Sequence, residues 1–420
     1  MTIQIILIFL QIIFLRKILK FFIVSPSYLY IIFSIISIIC SIIYFYFFDN
    51  KFSLYNLDKV SEFEFINIIK LYLIALNSFI FGILIFHNFS KRKTRNLFKD
   101  SLTEYLFFTY DLPKSTLKIV NTIFVIILLL FSITYGKELI VRQDYLPEMN
   151  RGLVALTKIF SFVEVMFLGI IYYRYKKHSI LLFTILILLT IGTGSRVVFL
   201  FLVVYFILIF ISKGNTLKNK LLFQINLVLS FIFLAYLMQF RKENSHGILP
   251  YIQSVFSIEN NDPIRNFYFN IYYSFIFGVY VTIGTIKEAI PSWKLIIISL
   301  NPLPGSMAGW YIYADKMRLN IYAPFSLHGR IFVMGLPFTI LYFFLTGIIF
   351  SFAERFVRLL LKSGKKEIAF ILILLLILHI IYGFEYNLRS AFRYFYYALF
   401  LILLTYLYPI IKSNLPKKKT

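Results

Sequence analysis

The chain has 420 residues, of which 60% are hydrophobic, 20% aromatic and only 15% charged, and its formal net charge at pH 7 is +24. A soluble domain of this composition would expose so much apolar surface that it would aggregate, so lipid must be its solvent. Nucleic-acid binding is not expected, because the distribution of Lys and Arg between the two sides of a membrane accounts for the charge.

Apolar runs follow one another along the whole chain, and most approach the roughly 20 residues that an α-helix needs to cross a bilayer. They cover residues 3–23, 26–48, 65–87, 119–140, 152–173, 178–194, 197–212, 221–240, 270–290, 293–311, 331–350, 367–383 and 394–411. Basic residues interrupt the first run, and the helix-breaking sequence Asn-Pro-Leu-Pro-Gly lies within run 293–311.

We therefore predict an all-α, polytopic transmembrane helical bundle of about 11–13 spans, formed by a single integral membrane domain over residues 1–420. The N-terminus has neither a basic start nor a small-residue cleavage site, so we expect the first apolar stretch to be retained.

The connections rich in Lys and Arg all fall on one side of the predicted bundle, which the positive-inside rule makes cytoplasmic. They cover residues 91–118, 174–177, 213–220, 355–366 and 417–419. The connections on the opposite side are acidic or mixed. Two of them, about 241–270 and 301–330, are longer than a simple turn, and long outer loops are where an extracytoplasmic active site is expected.

The sequence Gly-Thr-Gly-Ser-Arg at 192–196 separates two apolar runs at the predicted outer face. Its glycines allow a tight turn, and Ser195 can cap the next helix, whose free N–H groups favour an anion. Arg196 adds a bidentate cation. The pattern is typical of a phosphate site and equally of a helix hairpin whose arginine reaches the lipid headgroups, so both interpretations stay open.

The first long outer loop contains Arg241 and Arg265. Arginines on the outer side oppose the positive-inside tendency, and an anionic substrate or a lipid headgroup would explain them. The alternative is that Arg241 pairs with Glu243 and Arg265 with Asp262.

The second long outer loop contains Arg318, His328 and Arg330. A histidine of near-neutral pKa at the water interface can take a proton from a sugar hydroxyl, and arginines beside it can hold a diphosphate. A structural histidine is the alternative.

Several motifs are missing from the sequence. It has no Walker A loop, no HExxH, no Gly-x-Ser-x-Gly and no paired-carboxylate loop, and Cys40 is its one cysteine, so we expect neither a metal site nor a disulfide. Ion-coupled transporters usually place acidic residues in the middle of spans, and only Glu164 is clearly so placed here, so the sequence gives a transporter little support.

The chain resembles the O-antigen and capsule repeat-unit polymerases of the Wzy type. The resemblance covers most of the chain in span layout and outer loops. Its specific parts are Thr-Gly-Ser-Arg at 193–196, Asn-Pro-Leu-Pro-Gly at 301–305 and Pro-x-Ser-x-x-Gly at 324–329. A further family feature is an Arg followed after ten residues by a Gly in an outer loop, and it occurs here from Arg318 to Gly329.

The resemblance implies a metal-independent glycosyltransferase without a cofactor, in the inner membrane of a bacterium, with its active site facing the periplasm. It would join oligosaccharide repeat units carried on undecaprenyl diphosphate. The implied partners are these lipid-linked glycans, membrane lipids and a chain-length regulator. The alternatives are an O-antigen ligase and a lipid-linked oligosaccharide flippase or other transporter.

The resemblance and the outer-loop chemistry together suggest a set of site residues. His328 is the predicted catalytic base or orienting group. The residues predicted to bind the diphosphate or the substrate are Arg196, Arg241, Arg265, Arg318 and Arg330.

Overall fold

The computed structural model of the chain describes most of its residues. These are 2–20, 25–48, 59–99, 115–144, 150–195, 197–213, 216–239, 245–256, 268–269, 271–303, 305, 307–320 and 323–414. Over these residues the regular structure is helical, which confirms the predicted all-α class.

The α-helices are numbered α1 to α17 in chain order. They are α1 Thr2–Ile18, α2 Pro26–Phe47, α3 Glu62–Phe89, α4 Arg92–Lys99, α5 Ser115–Tyr135, α6 Arg151–Ile171, α7 Lys176–Gly192, α8 Val197–Lys213, α9 Leu217–Gln239, α10 Ile248–Phe256, α11 Phe277–Glu288, α12 Trp293–Leu300, α13 Trp310–Ala314, α14 Leu327–Val333, α15 Leu336–Lys362, α16 Lys366–Glu385 and α17 Leu388–Asn414. A π-helical turn, Tyr272–Ile276, leads into α11, and a 3-10 turn, Gly136–Leu139, follows α5.

The helices group into two compact units. One consists of Met1–Tyr105 and Ile271–Thr420, and therefore contains α1–α4 and α11–α17. The other is Leu106–Asn270, with α5–α10. The apolar runs did not indicate this division, because they follow one another along both units. The single membrane domain stays a prediction.

Six helices in the described part of the chain are long and apolar enough to cross a membrane. They are α2, α3, α5 with its 3-10 extension, most of α6, α15 and most of α16. Many large apolar side chains on these helices are exposed, as lipid-facing residues are. The chain is therefore a multi-pass membrane protein, whereas the count of 11–13 spans stays a prediction.

The apolar run 293–311 does not form one span. Helix α12 contains only eight residues and ends before Asn301, whose backbone is extended. The local reason is Pro302, because a residue that precedes proline is driven out of the α region. The next helix, α13, has only five residues.

Small residues bring α3 and α15 into close contact in the first unit. A Cβ atom added to Gly82 would overlap the carbonyl oxygen of Phe344, and one added to Gly347 would overlap that of Phe79. Glycine at such a crossing lets two helix backbones approach closely in a membrane. The buried rings of Phe79 and Phe350 pack edge to face beside it, with centroids 5.3 Å apart.

A fully buried ion pair joins Glu354 and Arg358, one helical turn apart on α15, at 2.7 Å. The Glu354 carboxylate also accepts a hydrogen bond from Ser25 Oγ at 2.8 Å. The Arg358 guanidinium donates to the backbone carbonyls of Phe98 at 3.2 Å and Lys20 at 2.8 Å. The pair therefore fixes the segments around α2 and α4 against α15.

The second unit is packed around a close approach of α6 and α8. A Cβ atom at Gly169 would lie 2.7 Å from Leu208, so the two helices leave no room for a larger side chain there. Tyr205 on α8 stacks on Phe183 of α7 at 3.7 Å, and its hydroxyl lies 2.9 Å from Ser179 Oγ. Polar and aromatic contacts thus connect α7 with α8, and the close approach at Gly169 connects α6 with α8.

Candidate functional site

The end of the second predicted outer loop is buried in the first unit. Helix α14 carries both His328 and Arg330, and six of its seven residues are buried. Ser326 caps this helix, its Oγ accepting a hydrogen bond from the Gly329 N–H at 2.9 Å. The sequence Ser-x-x-Gly therefore forms the start of a short internal helix.

A chain of hydroxyl groups holds α14 against α3 and α11. The Tyr72 hydroxyl lies 2.9 Å from Thr282 Oγ1, which lies 2.8 Å from Ser326 Oγ. The Ser326 N–H donates to Thr285 Oγ1 at 3.1 Å. A Cβ atom at Gly329 would clash with the Thr285 side chain at 2.5 Å, so this position requires glycine.

The His328 side chain is only 2% exposed. Its ring centroid lies 4.7 Å from those of Tyr72 and Phe384, and 5.3 Å from that of Phe343. Nδ1 is 3.2 Å from the Gly383 carbonyl oxygen, so the tautomer protonated at Nδ1 can donate to it. Burial lowers the pKa of His328 to about 3, because the charged form is desolvated.

This environment differs from the expected one. The sequence suggested a histidine of near-neutral pKa at the water interface, whereas aromatic side chains from several helices enclose His328. The difference arises because α14 folds into the interior of the first unit. The sequence shows only that His328 lies just before an apolar run, and this position does not reveal whether the segment is buried. The catalytic role of His328 stays a prediction.

Arg330 is 3% exposed, and its guanidinium is incompletely paired. Nη1 donates to the Ile290 carbonyl oxygen at 3.3 Å. Nε and Nη2 are buried, and neither finds a hydrogen-bond partner among the described residues. Burying a cation with free donor groups is costly, and an anionic ligand is the partner that satisfies such donors best.

Arg389, near the start of α17, is a buried arginine that the sequence reasoning did not select. Its guanidinium donates to the carbonyls of Ile298 at 2.8 Å, Asn301 at 3.2 Å and Leu303 at 2.5 Å, and it lies 5.2 Å from the centre of the Trp310 ring. Arg389 therefore fixes the backbone at the end of α12 and just after it. The one signal in the sequence was its position between the apolar runs 367–383 and 394–411, in a connection on the predicted outer side.

Among the other predicted arginines, Arg318 lies within the described residues. Arg318 lies at the surface, 4.0 Å from Asp315, and forms an isolated bridge with Pro324. The remaining three lie outside the described residues. They are Arg196, Arg241 and Arg265.

In the second unit, a buried arginine supports the turn after α7. Arg142 Nη1 donates to the carbonyl oxygens of Gly192 at 2.6 Å and Glu138 at 3.0 Å. Gly194 has φ +68°, a conformation that glycine adopts without strain. Sequence reasoning assigned no role to Arg142, because it lies in a connection of mixed charge.

A very small cavity lies beside this turn. Its volume is about 10 Å³, and its polar lining includes Lys158, Ser161, Thr193 and Ser195. A cavity of this size holds at most one water molecule and cannot admit a phosphate group. The phosphate-site interpretation of residues 192–196 stays a prediction.

Comparison of the chain with protein-family models, curated proteins and solved structures gives no match.

Proposed function

We propose that this chain is an O-antigen or related surface-polysaccharide polymerase. It would join oligosaccharide repeat units carried on undecaprenyl diphosphate, at the outer face of a bacterial inner membrane. The proposal combines the multi-pass helical fold with a buried cation in the segment that carries the Pro-x-Ser-x-x-Gly resemblance.

The observation that carries the proposal is the Arg330 guanidinium, buried with Nε and Nη2 unpartnered among the described residues. A diphosphate needs cations of this kind, since its oxygens accept paired hydrogen bonds from a guanidinium. The hydroxyl chain through Thr282 and Ser326 fixes the helix that bears Arg330. A preorganised cation stabilises negative charge better than a mobile one.

In the proposed reaction, an acceptor sugar hydroxyl attacks the anomeric carbon of the donor. The new bond joins that oxygen to the anomeric carbon, and the bond from this carbon to the diphosphate oxygen breaks. The proton of the acceptor hydroxyl passes to a base. The sequence predicted His328 for this role, but its burial and lowered pKa make it a weak base in this structure, so the orienting role fits it better. The diphosphate leaves on its lipid with its negative charge, which Arg330 stabilises, and Arg389 acts as a positioning residue through the 301–303 backbone.

The test is complementation of a deletion strain of the source bacterium with wild type, Arg330→Ala, Arg330→Lys or Lys316→Ala. Lys316 is exposed in the same outer segment, so its replacement is the matched control. We expect Arg330→Ala to reduce polymerisation about ten- to a hundredfold, shortening the polysaccharide ladder on a gel while the single-repeat band remains. Arg330→Lys keeps the charge but loses the forked geometry, and we expect an intermediate loss.

Protein levels measured in membranes show whether each variant folds. An unchanged ladder with Arg330→Ala would contradict the assigned role. An unchanged polysaccharide ladder in the deletion strain itself would contradict any role of this protein in polysaccharide synthesis.

A transporter is the second candidate, because of Glu164 on α6. Its side chain is fully buried, and neither carboxylate oxygen has a hydrogen-bond partner among the described residues. Unpaired carboxylates inside a membrane bundle are typical of ion or proton pathways. If the deletion removes every repeat-bearing band and Glu164→Gln fails to restore them, a flippase replaces the polymerase as the better assignment.

A further inference from the structure

A pocket lies where α1 and α3 end and α4 begins, in the first unit. Its volume is about 470 Å³. The charged and amide side chains that line it are Lys17, Asn88, Arg92, Arg95, Asn96 and Lys99. A volume of this size accommodates a small polar ligand or a lipid headgroup.

Helix α4 has two different faces. Arg92, Arg95, Asn96 and Lys99 follow the spacing i, i+3, i+4 and i+7, which places them on one side of a helix. Leu97 and Phe98 are buried on the other side. The apolar side thus attaches α4 to the protein, and the basic side lines the pocket.

The position of α4 is fixed by the buried ion pair on α15. Arg358 donates to the carbonyl oxygens of Leu97 at 3.5 Å and Phe98 at 3.2 Å, and its guanidinium lies 5.3 Å from the centre of the Phe98 ring. The Lys20 N–H donates to the Phe98 carbonyl at 2.9 Å. The pocket wall is therefore held by buried contacts, unlike a chance cluster of mobile surface lysines.

The charge of the pocket is not balanced by its described lining. Lys17, Arg92, Arg95 and Lys99 are solvent-exposed, and no Asp or Glu is among the residues that line it. Like charges gathered in one pocket repel each other, and a bound anion relieves that repulsion. Arginine and asparagine donors together suit the oxygens of a phosphate group.

The pocket also lies at the end of a membrane-spanning helix. Helix α3 is long and apolar enough to cross a bilayer, and it ends at Phe89, whose ring is largely exposed to the surroundings. Polar residues begin immediately after it. Basic pockets between helices at this level bind the headgroups of anionic lipids.

We propose that this pocket binds a phosphate group, supplied by the headgroup of an anionic phospholipid or by a soluble phosphate. The site is independent of the proposed polymerase site and would exist in a transporter equally well. On the predicted topology it faces the cytoplasm, so bound anionic lipid would anchor this end of the first unit in the inner leaflet.

The test measures binding to the purified full-length protein in a neutral detergent. The probes are phosphatidylglycerol, phosphatidylcholine and inorganic phosphate, followed by native mass spectrometry for the lipids and by calorimetric titration for phosphate. The pocket variant is K17Q/R92Q/R95Q/K99Q. The matched control is K176Q/K177Q/K218Q/K220Q, which removes the same charge from exposed lysines on the same predicted side.

We expect wild type and the control to bind phosphatidylglycerol more tightly than phosphatidylcholine, and the pocket variant to lose on the order of tenfold or more in affinity. Tight binding of inorganic phosphate, lost in the same variant, identifies a soluble ligand instead of a lipid. Equal losses in both variants, or no loss in either, overturn the proposal.

A milder pair of variants guards against misfolding of the fourfold one. Arg95→Lys keeps the charge, and we expect it to bind within a few-fold of wild type, whereas Arg95→Gln weakens binding clearly. Equal binding by the two overturns the proposal. Polymer length plays no part in this measurement, so its result is independent of the polymerase assignment.

Discussion

At the scale of single residues, the buried ion pair between Glu354 and Arg358 offers the clearest test of stability. Glu354→Ala leaves the Arg358 charge buried without its carboxylate partner. We expect a loss of about 3–5 kcal/mol in the free energy of unfolding, since an uncompensated buried charge is that costly. Unfolding of the purified protein in mixed micelles, monitored by circular dichroism, measures the change.

The control replaces both partners with apolar residues of similar size, as in Glu354→Leu with Arg358→Met. Because no charge is then stranded, we expect the double variant to be clearly more stable than Glu354→Ala. If the single and the double variant unfold at the same denaturant concentration, the pair is not the source of the stability.

His328 gives a second residue-scale prediction, which concerns its protonation. With a pKa of about 3, the imidazole is neutral at pH 7 and remains about 99% neutral at pH 5, whereas an exposed histidine becomes mostly charged there. Side-chain ¹⁵N NMR of the labelled protein measures this, with His328→Gln identifying the signal. A titration midpoint near pH 6.5 would show that the ring reaches water, as the sequence alone suggested.

At the scale of elements, the close crossing of α3 and α15 depends on two glycines. Gly82→Ala and Gly347→Ala each place a methyl group against the backbone of the facing helix. We expect each substitution to lower the free energy of unfolding by about 1–3 kcal/mol or more, because the two helices must separate to make room for the methyl group. Thermal unfolding of each variant in detergent is the measurement.

Gly383 on α16 is the matched control for these substitutions. A Cβ atom there meets only Leu327 Cδ1, at an ordinary contact distance of 3.8 Å. Alanine also favours helix over glycine by about 1 kcal/mol, so Gly383→Ala should be neutral or slightly stabilising. Equal destabilisation by all three variants would contradict the crossing as described.

The helices also show which features the hydropathy pattern predicted and which it did not. The sequence predicted α2, α3 and α15 as spans, because a long apolar run satisfies every backbone group only as a helix. It flagged the run 293–311 as irregular through its prolines, and the structure breaks the helix there. It did not predict that α14 folds inward, because that depends on hydroxyl partners such as Thr282 from a distant helix.

At the scale of the whole molecule, the orientation in the membrane is the property to test. In a background with Cys40→Ala, single cysteines replace Lys177 or Lys365 on the predicted cytoplasmic side, and Met307 on the predicted outer side. A membrane-impermeant maleimide applied to spheroplasts should label only the cysteine at Met307, because the bilayer shields the others. Labelling of the cysteine that replaces Lys177 or Lys365 in intact spheroplasts would contradict the predicted topology.

The sequence by itself determined that this protein is a helical, multi-pass membrane protein, because composition and run length depend only on the residue types along the chain. Tertiary structure alone decided which cations are buried. Arg330 and Arg389 look no different in sequence from the exposed Arg318, and only the folding of distant helices around them removes them from water. Fold class follows from local chemistry, whereas a site follows from contacts between residues far apart in sequence.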